Sequence, residues 1–252
     1  MELRSAEEIA RIREACLIVH EVLFEVRRAV APGVSTGELD ALAERATRER
    51  GARPAFKGYH GFPASICISV NDEIVHGIPS PRRLLVPGDL VGLDFGVEYR
   101  GFFGDSAYTV SVGEPSPLAR DLVETTKAAL ESAIAAAQPG GRVGDIGAAV
   151  QGLVEARGFS VVREFVGHGI GHHLHEAPQV PNFGQAGTGM RLRSGMVLAL
   201  EPMVNAGKAG IRTLEDGWTA VTADGSLSAH FEHTVAVTEE GPVVLSHPPK
   251  EA

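Results

Sequence analysis

The strongest constraint on the fold is an internal repeat in which local motifs return 107 residues later. Pro32-Gly33 recurs as Pro139-Gly140, and Arg50-Gly51 recurs as Arg157-Gly158. Each copy contains a long amphipathic segment that stops at Pro-Gly and a second segment closed by a glycine, which predicts two pairs of helices. The chain is therefore expected to form two similar halves, at about residues 5–112 and 113–244.

The repeat also predicts the order of the elements. The first helix of each pair is expected at roughly residues 6–30 and 117–137, and the Ser5/Glu8 and Ser35/Glu38 pairs fit the capping-box pattern at two helix starts. Strand-rich segments follow each helix pair. This order predicts an α+β fold with pseudo-twofold symmetry, in which helices cover one face of a curved, mainly antiparallel sheet and leave the other face open.

Length and composition agree with a single domain over residues 1–252. With 252 residues, 44% of them hydrophobic, the chain can bury a sizeable core. Its apolar stretches fall short of the roughly 18 to 20 residues of a membrane span, and its first residues lack the plan of a signal peptide, so a cytoplasmic location is expected. Cys16 and Cys67 form no disulfide framework, and a net charge of −9 with interspersed signs argues against a nucleic-acid surface.

Two carboxylates occupy a predicted hairpin. Residues 91–110 contain two β-rich runs around Tyr99-Arg100-Gly101. If the turn is centred between Tyr99 and Arg100, Asp94 and Asp105 lie directly opposite each other, with Cβ atoms roughly 4.5 to 5.5 Å apart. Two acids at that distance can share a metal ion. The alternative is a solvated hairpin whose charges happen to align.

A histidine-rich segment follows at residues 166–178. Its closely spaced glycines predict a turn-rich loop and not a helix, so the i, i+4 spacing of His168 and His172 does not indicate a helical zinc pair. His172 and His173 are expected to be structural or exposed. His168 and His175 are the better functional candidates because acidic strands follow them.

Those strands carry Glu201 and Glu232. Glu201 ends an apolar run, where a carboxylate is disfavoured unless it is paired or bound to metal. Glu232 lies in an alternating strand pattern with His230 and Thr234 on the same face. A buried salt bridge is the alternative for each glutamate. Four carboxylates and one imidazole suit two divalent cations, and the predicted ligands are Asp94, Asp105, His168, Glu201 and Glu232.

The motifs resemble those of the type I, bacterial-type methionine aminopeptidases over residues 5–244. They are Asn71-Asp-Glu-Ile-Val-His-Gly-Ile-Pro79, Gly167-His-Gly-Ile-Gly171, Glu201-Pro-Met-Val-Asn205 and Asp216-Gly-Trp218. The resemblance implies the pita-bread fold and a dinuclear metalloaminopeptidase. Such an enzyme removes the initiator methionine from nascent proteins with a small second residue, through attack of a metal-bridging water or hydroxide on the scissile bond.

The resemblance also implies roles for individual residues. Glu201 matches the general base, a role that a carboxylate touching the attacking water can perform. His175 would contact the scissile carbonyl oxygen, and His76 the scissile amide or the leaving group. Asp94 would help receive the free α-amine of the substrate.

A pocket for the methionine side chain follows from the same comparison. The matching wall residues are Tyr59, Phe62, Cys67 and Trp218, with His60 among them near the metals. Core packing is the alternative for each aromatic residue taken alone. Phe56 and Leu174 depart from the residues that many relatives have there, which leaves the shape of the pocket open.

Several expectations remain broad. The ligand types accept cobalt, manganese, iron or zinc, and Asn71 with Ser228 match positions near a structural monovalent cation in the family. The substrate is expected to be the N-terminal methionine of peptides and nascent polypeptides, the protein a monomer, and the ribosome a partner. Two other functions compete: a dipeptidase or proline-directed peptidase of the same fold, and an inactive binding protein that has kept the fold.

Overall fold

Within the described residues, four long helices form two pairs, as the repeat predicts. The computed structural model describes residues 2–247. Both predicted capping boxes form: the Ser5 and Ser35 side chains accept from the N–H of Glu8 and Glu38, whose carboxylates accept from the serine N–H groups. These contacts satisfy N–H groups that a helix start leaves unpaired. The helices are α1 (Ala6–Ala29), α2 (Thr36–Glu49), α3 (Pro117–Ala136) and α4 (Val143–Ala156).

Short strands and one long hairpin make up the β structure. In the first half these are β1 (Arg53–Pro54), β2 (Cys67–Val70), β3 (Glu73–Val75), β4 (Leu90–Tyr99) and β5 (Phe102–Ser111), with a 3-10 turn at Tyr59–Gly61. In the second half they are β6 (Ser160–Val161), β7 (Gly167–Gly169), β8 (Glu176–Val180), β9 (Val197–Leu200), β10 (Met203–Asn205), β11 (Ile211–Thr213), β12 (Ala220–Thr222), β13 (Ser228–His230), β14 (Glu232–Thr238) and β15 (Gly241–Val244).

A nine-stranded sheet spans both halves. Its main path is β1-β4-β5-β14-β9-β7-β8, with β2 paired to β4 and β15 paired to β14. Every strand pairing within residues 2–247 is antiparallel. Two three-stranded sheets, β13-β10-β6 and β11-β12-β3, lie beside it. The predicted α+β class and mainly antiparallel sheet are confirmed.

Each helix pair packs on the sheet strands of its own half. In the first half, residues of α1 and α2 such as Leu23 and Leu39 share an apolar core with Phe95 of β4. In the second half, Leu122 of α3 and Ile146 of α4 pack with Leu198 and Val235. Burial of these side chains fixes the helices to one face of the sheet.

No helix within residues 2–247 has the length and apolarity needed to cross a bilayer.

The β4–β5 hairpin has a different register from the one expected. Tyr99 pairs with Phe102, so the turn is the two-residue loop Arg100-Gly101, and both residues have positive φ (52° and 81°). This is the conformation of a type I′ hairpin turn, which suits the twist of the flanking strands. Asp94 therefore pairs with Ala107, and Asp105 with Gly96. The predicted direct pairing of Asp94 with Asp105 was wrong by two residues. Because side chains alternate along a strand, a shift of two residues leaves both acids on the same face.

The two halves meet in the sheet along a short seam between β5 and β14. Only two residue pairs form it, Glu232 with Ala107 and His233 with Ser106. Side-chain hydroxyls reinforce the seam. Ser106 Oγ donates to the Glu232 carbonyl (2.6 Å), and Thr234 Oγ1 donates to the Asp105 carbonyl (2.8 Å). Two buried hydroxyl side chains, Ser106 and Thr234, thus tie the two strands together at the predicted metal ligands Asp105 and Glu232.

Candidate active site

The open face of the sheet carries a cleft with about 670 Å³ of empty space. One side of the cleft is polar and the other is apolar and aromatic. Its lining brings together residues that are far apart in sequence: Phe56, Tyr59, Phe62, Cys67, His76, Asp94, Asp105, His168, Leu174, His175, Glu201, Trp218 and Glu232. All five predicted metal ligands are among them.

Three of the predicted ligands form a compact group. The ligand atoms of Asp105, His168 and Glu232 all lie within 4.8 Å of one another, and all three side chains are buried. Asp105 comes from β5 and Glu232 opens β14, so the seam brings these two carboxylates together. His168 reaches the same point from β7, which pairs with β9.

Glu201 lies directly after β9, at the break before Pro202. Its Oε1 is 3.4 Å from His168 Nε2, and its side chain keeps 14% of its surface exposed. The backbone there is held by Asn182, whose side-chain N–H donates to the Glu201 carbonyl (3.0 Å). His168 Nδ1 lies 2.9 Å from the Gly169 carbonyl, which orients the ring so that Nε2 points to Glu201.

Burial in the cleft shifts the pKa values of its acidic residues. Burial raises the pKa of Asp94 to about 7. Burial, and then the charges of neighbouring carboxylates, raise the pKa of Asp105, Glu201 and Glu232 well above the ordinary values. Burial also lowers the pKa of His168 to about 3, with a further contribution from His175. The imidazole is therefore neutral, the state in which it binds metal.

The same residues carry buried oxygens that have no hydrogen-bond partner. These are Asp94 Oδ1, Asp105 Oδ1 and Glu232 Oε1. A buried polar atom without a partner is costly, and a carboxylate oxygen more so. Oxygens of this kind, grouped around a neutral imidazole, fit divalent metal ions.

Two further histidines lie at the cleft. Tyr59 Oη is 2.8 Å from His175 Nδ1, and the His175 ring lies beside that of His168, with centroids 4.3 Å apart. His76 has positive φ (60°), and its ring packs edge-on against Phe165 and Trp218. Burial lowers the pKa of His76 to about 4, with a smaller effect of His175. Both imidazoles line the cleft that holds the predicted metal ligands.

The apolar wall is built mainly from the loop around the 3-10 turn. Phe62 packs edge-on against Trp218, with ring centroids 5.2 Å apart. Cys67 is buried and pairs with Asp94 across β2 and β4, so the wall and the acidic group share a strand pair. Phe56 and Leu174 complete the lining.

Some predicted positions lie outside the cleft. His60 is not part of its lining and packs edge-on against Tyr59 (4.4 Å). His172 and His173 are exposed, as expected, and His172 Nε2 contacts Glu8 (3.2 Å). The loop expected around His168 contains the short strands β7 and β8.

The expected common strand face of His230 and Glu232 does not form. The strand breaks at Phe231, which separates β13 from β14, and His230 belongs to the small sheet. Its Nε2 is buried without a hydrogen-bond partner, and burial followed by His76 lowers its pKa to about 3. The sequence pattern did not single out this buried histidine as a separate feature.

Comparison with known proteins gives matches over most of the chain. Residues 10–239 match the model of metallopeptidase family M24. The chain is 49% identical over 243 residues to methionine aminopeptidase 1 of Bacillus subtilis, covering 96% of this chain and 98% of that protein. The crystal structure of methionine aminopeptidase from Thermotoga maritima superimposes with a TM-score of 0.97 at 44% identity, covering 98% and 100% of the two chains. A prolidase from Pyrococcus horikoshii shares the fold (TM-score 0.80, 24% identity), and the match covers 99% of this chain but 64% of that longer one.

Proposed function

The chain belongs to metallopeptidase family M24, and on this basis we propose that its five clustered ligands hold two divalent metal ions beside a pocket for a methionine side chain. The protein is a metal-dependent aminopeptidase that removes an N-terminal methionine. The observation that carries the metal proposal is the group of unpartnered carboxylate oxygens on Asp94, Asp105 and Glu232.

The residues that would hold the ions are Asp94, Asp105, His168, Glu201 and Glu232. The chemistry that divalent ions supply in such a site is Lewis acidity, which polarises a carbonyl oxygen and makes water a usable nucleophile near neutral pH. Four carboxylates with one imidazole accept manganese, iron, cobalt and zinc, so we propose two ions drawn from this group. No nucleophilic serine or cysteine is required.

Glu201 is the proposed general base. It borders the cleft at the end of β9, where a carboxylate beside the attacking water can take its proton and pass it to the leaving amine. The position after an apolar strand keeps the carboxylate in a dry setting, with only 14% of its side-chain surface exposed. Proton transfer from the attacking water to the amine therefore passes through one side chain.

His175 is proposed to stabilise charge on the scissile carbonyl oxygen. Burial lowers its pKa, with a contribution from His60, so the ring is neutral. If the Tyr59 hydroxyl donates to Nδ1, the single ring proton is on Nε2 and can be donated to the substrate. Tyr59 then acts as a positioning residue as well as part of the pocket wall.

His76 is proposed to contact the scissile amide or the leaving group. Its ring is neutral and is clamped by Phe165 and Trp218, which fixes the direction of its nitrogens. Asp94 is proposed to help bind the free α-amine, which would restrict cleavage to the first residue of a peptide.

The apolar wall suits a flexible thioether. Sulfur in contact with aromatic rings contributes roughly 0.3 to 1.5 kcal/mol, and the wall supplies Tyr59, Phe62 and Trp218 together with Cys67. His60, which packs edge-on against Tyr59, is also proposed to contact the substrate. Phe56 and Leu174 adjust the volume of the pocket without changing its apolar character.

We propose initiator methionine of nascent chains with a small second residue as the physiological substrate, acted on by a monomer in the cytoplasm near the ribosome. A monovalent cation is proposed near Asn71 and Ser228, where the Asn71 carbonyl accepts from the Ser228 N–H (2.8 Å). We also propose that the chain forms a single catalytic domain of two pseudo-repeats, at about residues 5–112 and 113–244.

The decisive experiment is a substrate and metal matrix. Metal-free protein is reconstituted with manganese, iron, cobalt or zinc and assayed on Met-Ala-Ser, Met-Leu-Ser and Xaa-Pro peptides. We expect release of methionine from Met-Ala-Ser, little turnover of Met-Leu-Ser and none of Xaa-Pro. Preferred cleavage of Xaa-Pro would favour the proline-directed alternative, and inactivity with every metal would favour an inactive binding protein.

A further inference from the structure

The segment before α1 contacts the turn that carries His175. The Arg4 side chain in this segment is only 2% exposed. Its guanidinium pairs with Glu176, the first residue of β8 and the direct chain neighbour of His175. Charged side chains are rarely buried unless they are paired. Neither Arg4 nor Glu176 lines the cleft, so this buried ion pair acts on the site from outside it.

The backbone of Arg4 is held independently of the ion pair. Its N–H donates to the Gly195 carbonyl (2.7 Å), two residues before β9 begins. The Gly195 N–H in turn donates to the Val237 carbonyl of β14 (2.9 Å). On the other side of Arg4, the capping box of Ser5 starts α1. The guanidinium therefore extends from a backbone that is anchored to the main sheet and to the first helix.

The turn at residues 171–175 is a bend and contains no strand. One carboxylate oxygen of Glu176 accepts from the His173 N–H (2.9 Å), and the other accepts from Arg4 Nη2. Gly171 lies against the guanidinium, since a Cβ added there would be 2.6 Å from Arg4 Nε and Nη2. The Arg4–Glu176 pair therefore contacts the turn at its first residue and at its middle.

The position of the His175 ring depends on this turn. His175 is exposed at the cleft, so core packing does not hold it. Its Nδ1 lies 2.8 Å from Tyr59 Oη, and its ring lies beside that of His168. These two side-chain contacts orient the ring but do not hold the backbone of residue 175. The contacts of Glu176 hold that backbone from the following residue.

Glu176 is the most important of the carboxylates around Arg4. Arg4 Nη1 also donates to Glu2 Oε2 (2.9 Å) and lies 3.9 Å from Glu8 Oε1. Glu2 is exposed, and ion pairs at exposed positions are weak. The Glu176 side chain is only 17% exposed, and the attraction between two charges is stronger where water is excluded. Glu8 adds a second link to the turn, because its Oε1 is 3.2 Å from His172 Nε2.

We propose that Arg4 is a positioning residue for peptide cleavage, which acts through Glu176 to hold the turn at residues 171–175 and so to aim the His175 imidazole at the scissile carbonyl oxygen. The inference rests on the proposed role of His175 and adds a residue that lies outside the cleft. A displacement of about 1 Å in an active site can lower the rate by roughly 10²-fold. Loss of Arg4 should therefore lower kcat and leave KM nearly unchanged.

The test uses steady-state kinetics on Met-Ala-Ser with the metal that gives the highest wild-type activity. Arg4→Met should lower kcat about tenfold. Arg4→Lys should stay within about threefold of wild type, because lysine keeps the charge and can donate a hydrogen bond to Glu176. Arg50→Met is the matched control, since Arg50 joins α2 to α1 through Glu21 and Glu25. It should lower the melting temperature and leave kcat unchanged.

A double-mutant cycle with His175→Ala distinguishes positioning from general destabilisation. If Arg4 acts through His175, Arg4→Met should lower kcat by less than about twofold in a protein that already lacks the imidazole. An equal loss in both backgrounds would overturn the inference, and so would an Arg4→Met variant with the kcat of wild type.

Glu176→Gln provides a milder variant if Arg4→Met does not fold. Glutamine keeps an acceptor for the His173 N–H and loses only the charge that pairs with Arg4. Its kcat should fall about threefold in the wild-type background and remain unchanged in the His175→Ala background. A fall of the same size in both backgrounds would contradict the role of the Arg4–Glu176 pair.

The wild-type protein and the His175→Ala variant show which proposal has failed. Wild-type protein that releases no methionine with any metal would overturn the proposed function and this inference together. A His175→Ala variant with normal kcat would overturn the role of His175 and therefore that of Arg4. An active wild type, an impaired His175→Ala variant and an unimpaired Arg4→Met variant would overturn the role of Arg4 alone.

Discussion

The first half of the chain supplies Asp94 and Asp105 from one uninterrupted hairpin, whereas the second half supplies its ligands from three separate places. These are His168 on β7, Glu201 just after β9 and Glu232 at the start of β14. β4 and β5 each have ten residues, but β7 has three and β9 has four. The helix pairs of the halves nevertheless follow one plan. The difference indicates that the first half provides a rigid pair of acids, while the second half adds the imidazole and the proposed base.

Removal of the metal ions should have the largest effect on activity, because the two halves supply ligands to the same site. Without a cation to join them, acids from both halves repel each other, and activity on Met-Ala-Ser should be lost. The folded-state pKa of Asp94 is about 7, above its unfolded value of 3.8, so the folded chain holds more protons and its stability should fall as pH rises from 5.5 to 8. Thermal unfolding of chelated protein across this range measures the effect. Added manganese should restore both activity and stability at pH 8, and a melting temperature of the chelated protein that rises with pH would contradict the assignment.

Glu201→Gln tests the proposed role of the second half. Loss of a general base should lower kcat by roughly 10³-fold, while the other four ligands retain metal. Steady-state kinetics on Met-Ala-Ser and metal analysis on the same sample distinguish loss of the general base from loss of metal. Glu215→Gln, an exposed change in the same half, is the control. A kcat within a few fold of wild type would remove Glu201 from proton transfer.

Trp218→Ala tests the part of the pocket wall that comes from the second half. Loss of the edge-on contact with Phe62 and of the wall itself should raise KM for methionyl peptides about tenfold. Trp218→Phe should keep most of the affinity, since it retains an aromatic ring. Unchanged kinetics in the alanine variant would exclude Trp218 from the pocket.

Tyr59→Phe tests whether Tyr59, in the first half, orients His175, in the second half. Loss of the hydrogen bond to His175 should lower kcat about fivefold with little change in KM, since one such bond contributes on the order of 1 kcal/mol. Tyr99→Phe removes a hydroxyl from the β4–β5 hairpin and should leave kcat unchanged. A pure rise in KM would mean that Tyr59 only forms pocket wall.

Gly96→Ala is the mildest test and concerns the first half alone. An added Cβ would lie 2.7 Å from Phe56 Cε1, so the Phe56 ring must shift, and this ring borders the cleft. We expect a decrease in kcat/KM of about threefold for methionyl peptides. A Gly96→Ala/Phe56→Leu variant should recover activity, and no recovery would place the effect in the β4–β5 strands themselves.

The elements that depend on local sequence were predictable. Capping boxes at Ser5 and Ser35, the helix pairs and the shared face of Asp94 and Asp105 follow from periodicity and spacing. The hairpin register did not follow, because Arg100 adopts a positive φ that arginine rarely takes and that the sequence does not signal. One residue in that conformation moves the turn and changes every partner in the hairpin.

That the site residues come together from distant parts of the chain could be predicted only from their residue types and from the family resemblance. Nothing local in the sequence places Glu201 3.4 Å from His168, since this distance depends on the pairing of β7 with β9.

The two-pair seam between β5 and β14 has a practical consequence. Residues 113–116 connect the halves at the surface, after β5 and before α3. A chain cut there would give two fragments, each with an incomplete set of ligands. Reassociation of the fragments could then be followed as recovered peptidase turnover, which makes the molecule a natural starting point for a split enzyme whose complementation depends on metal.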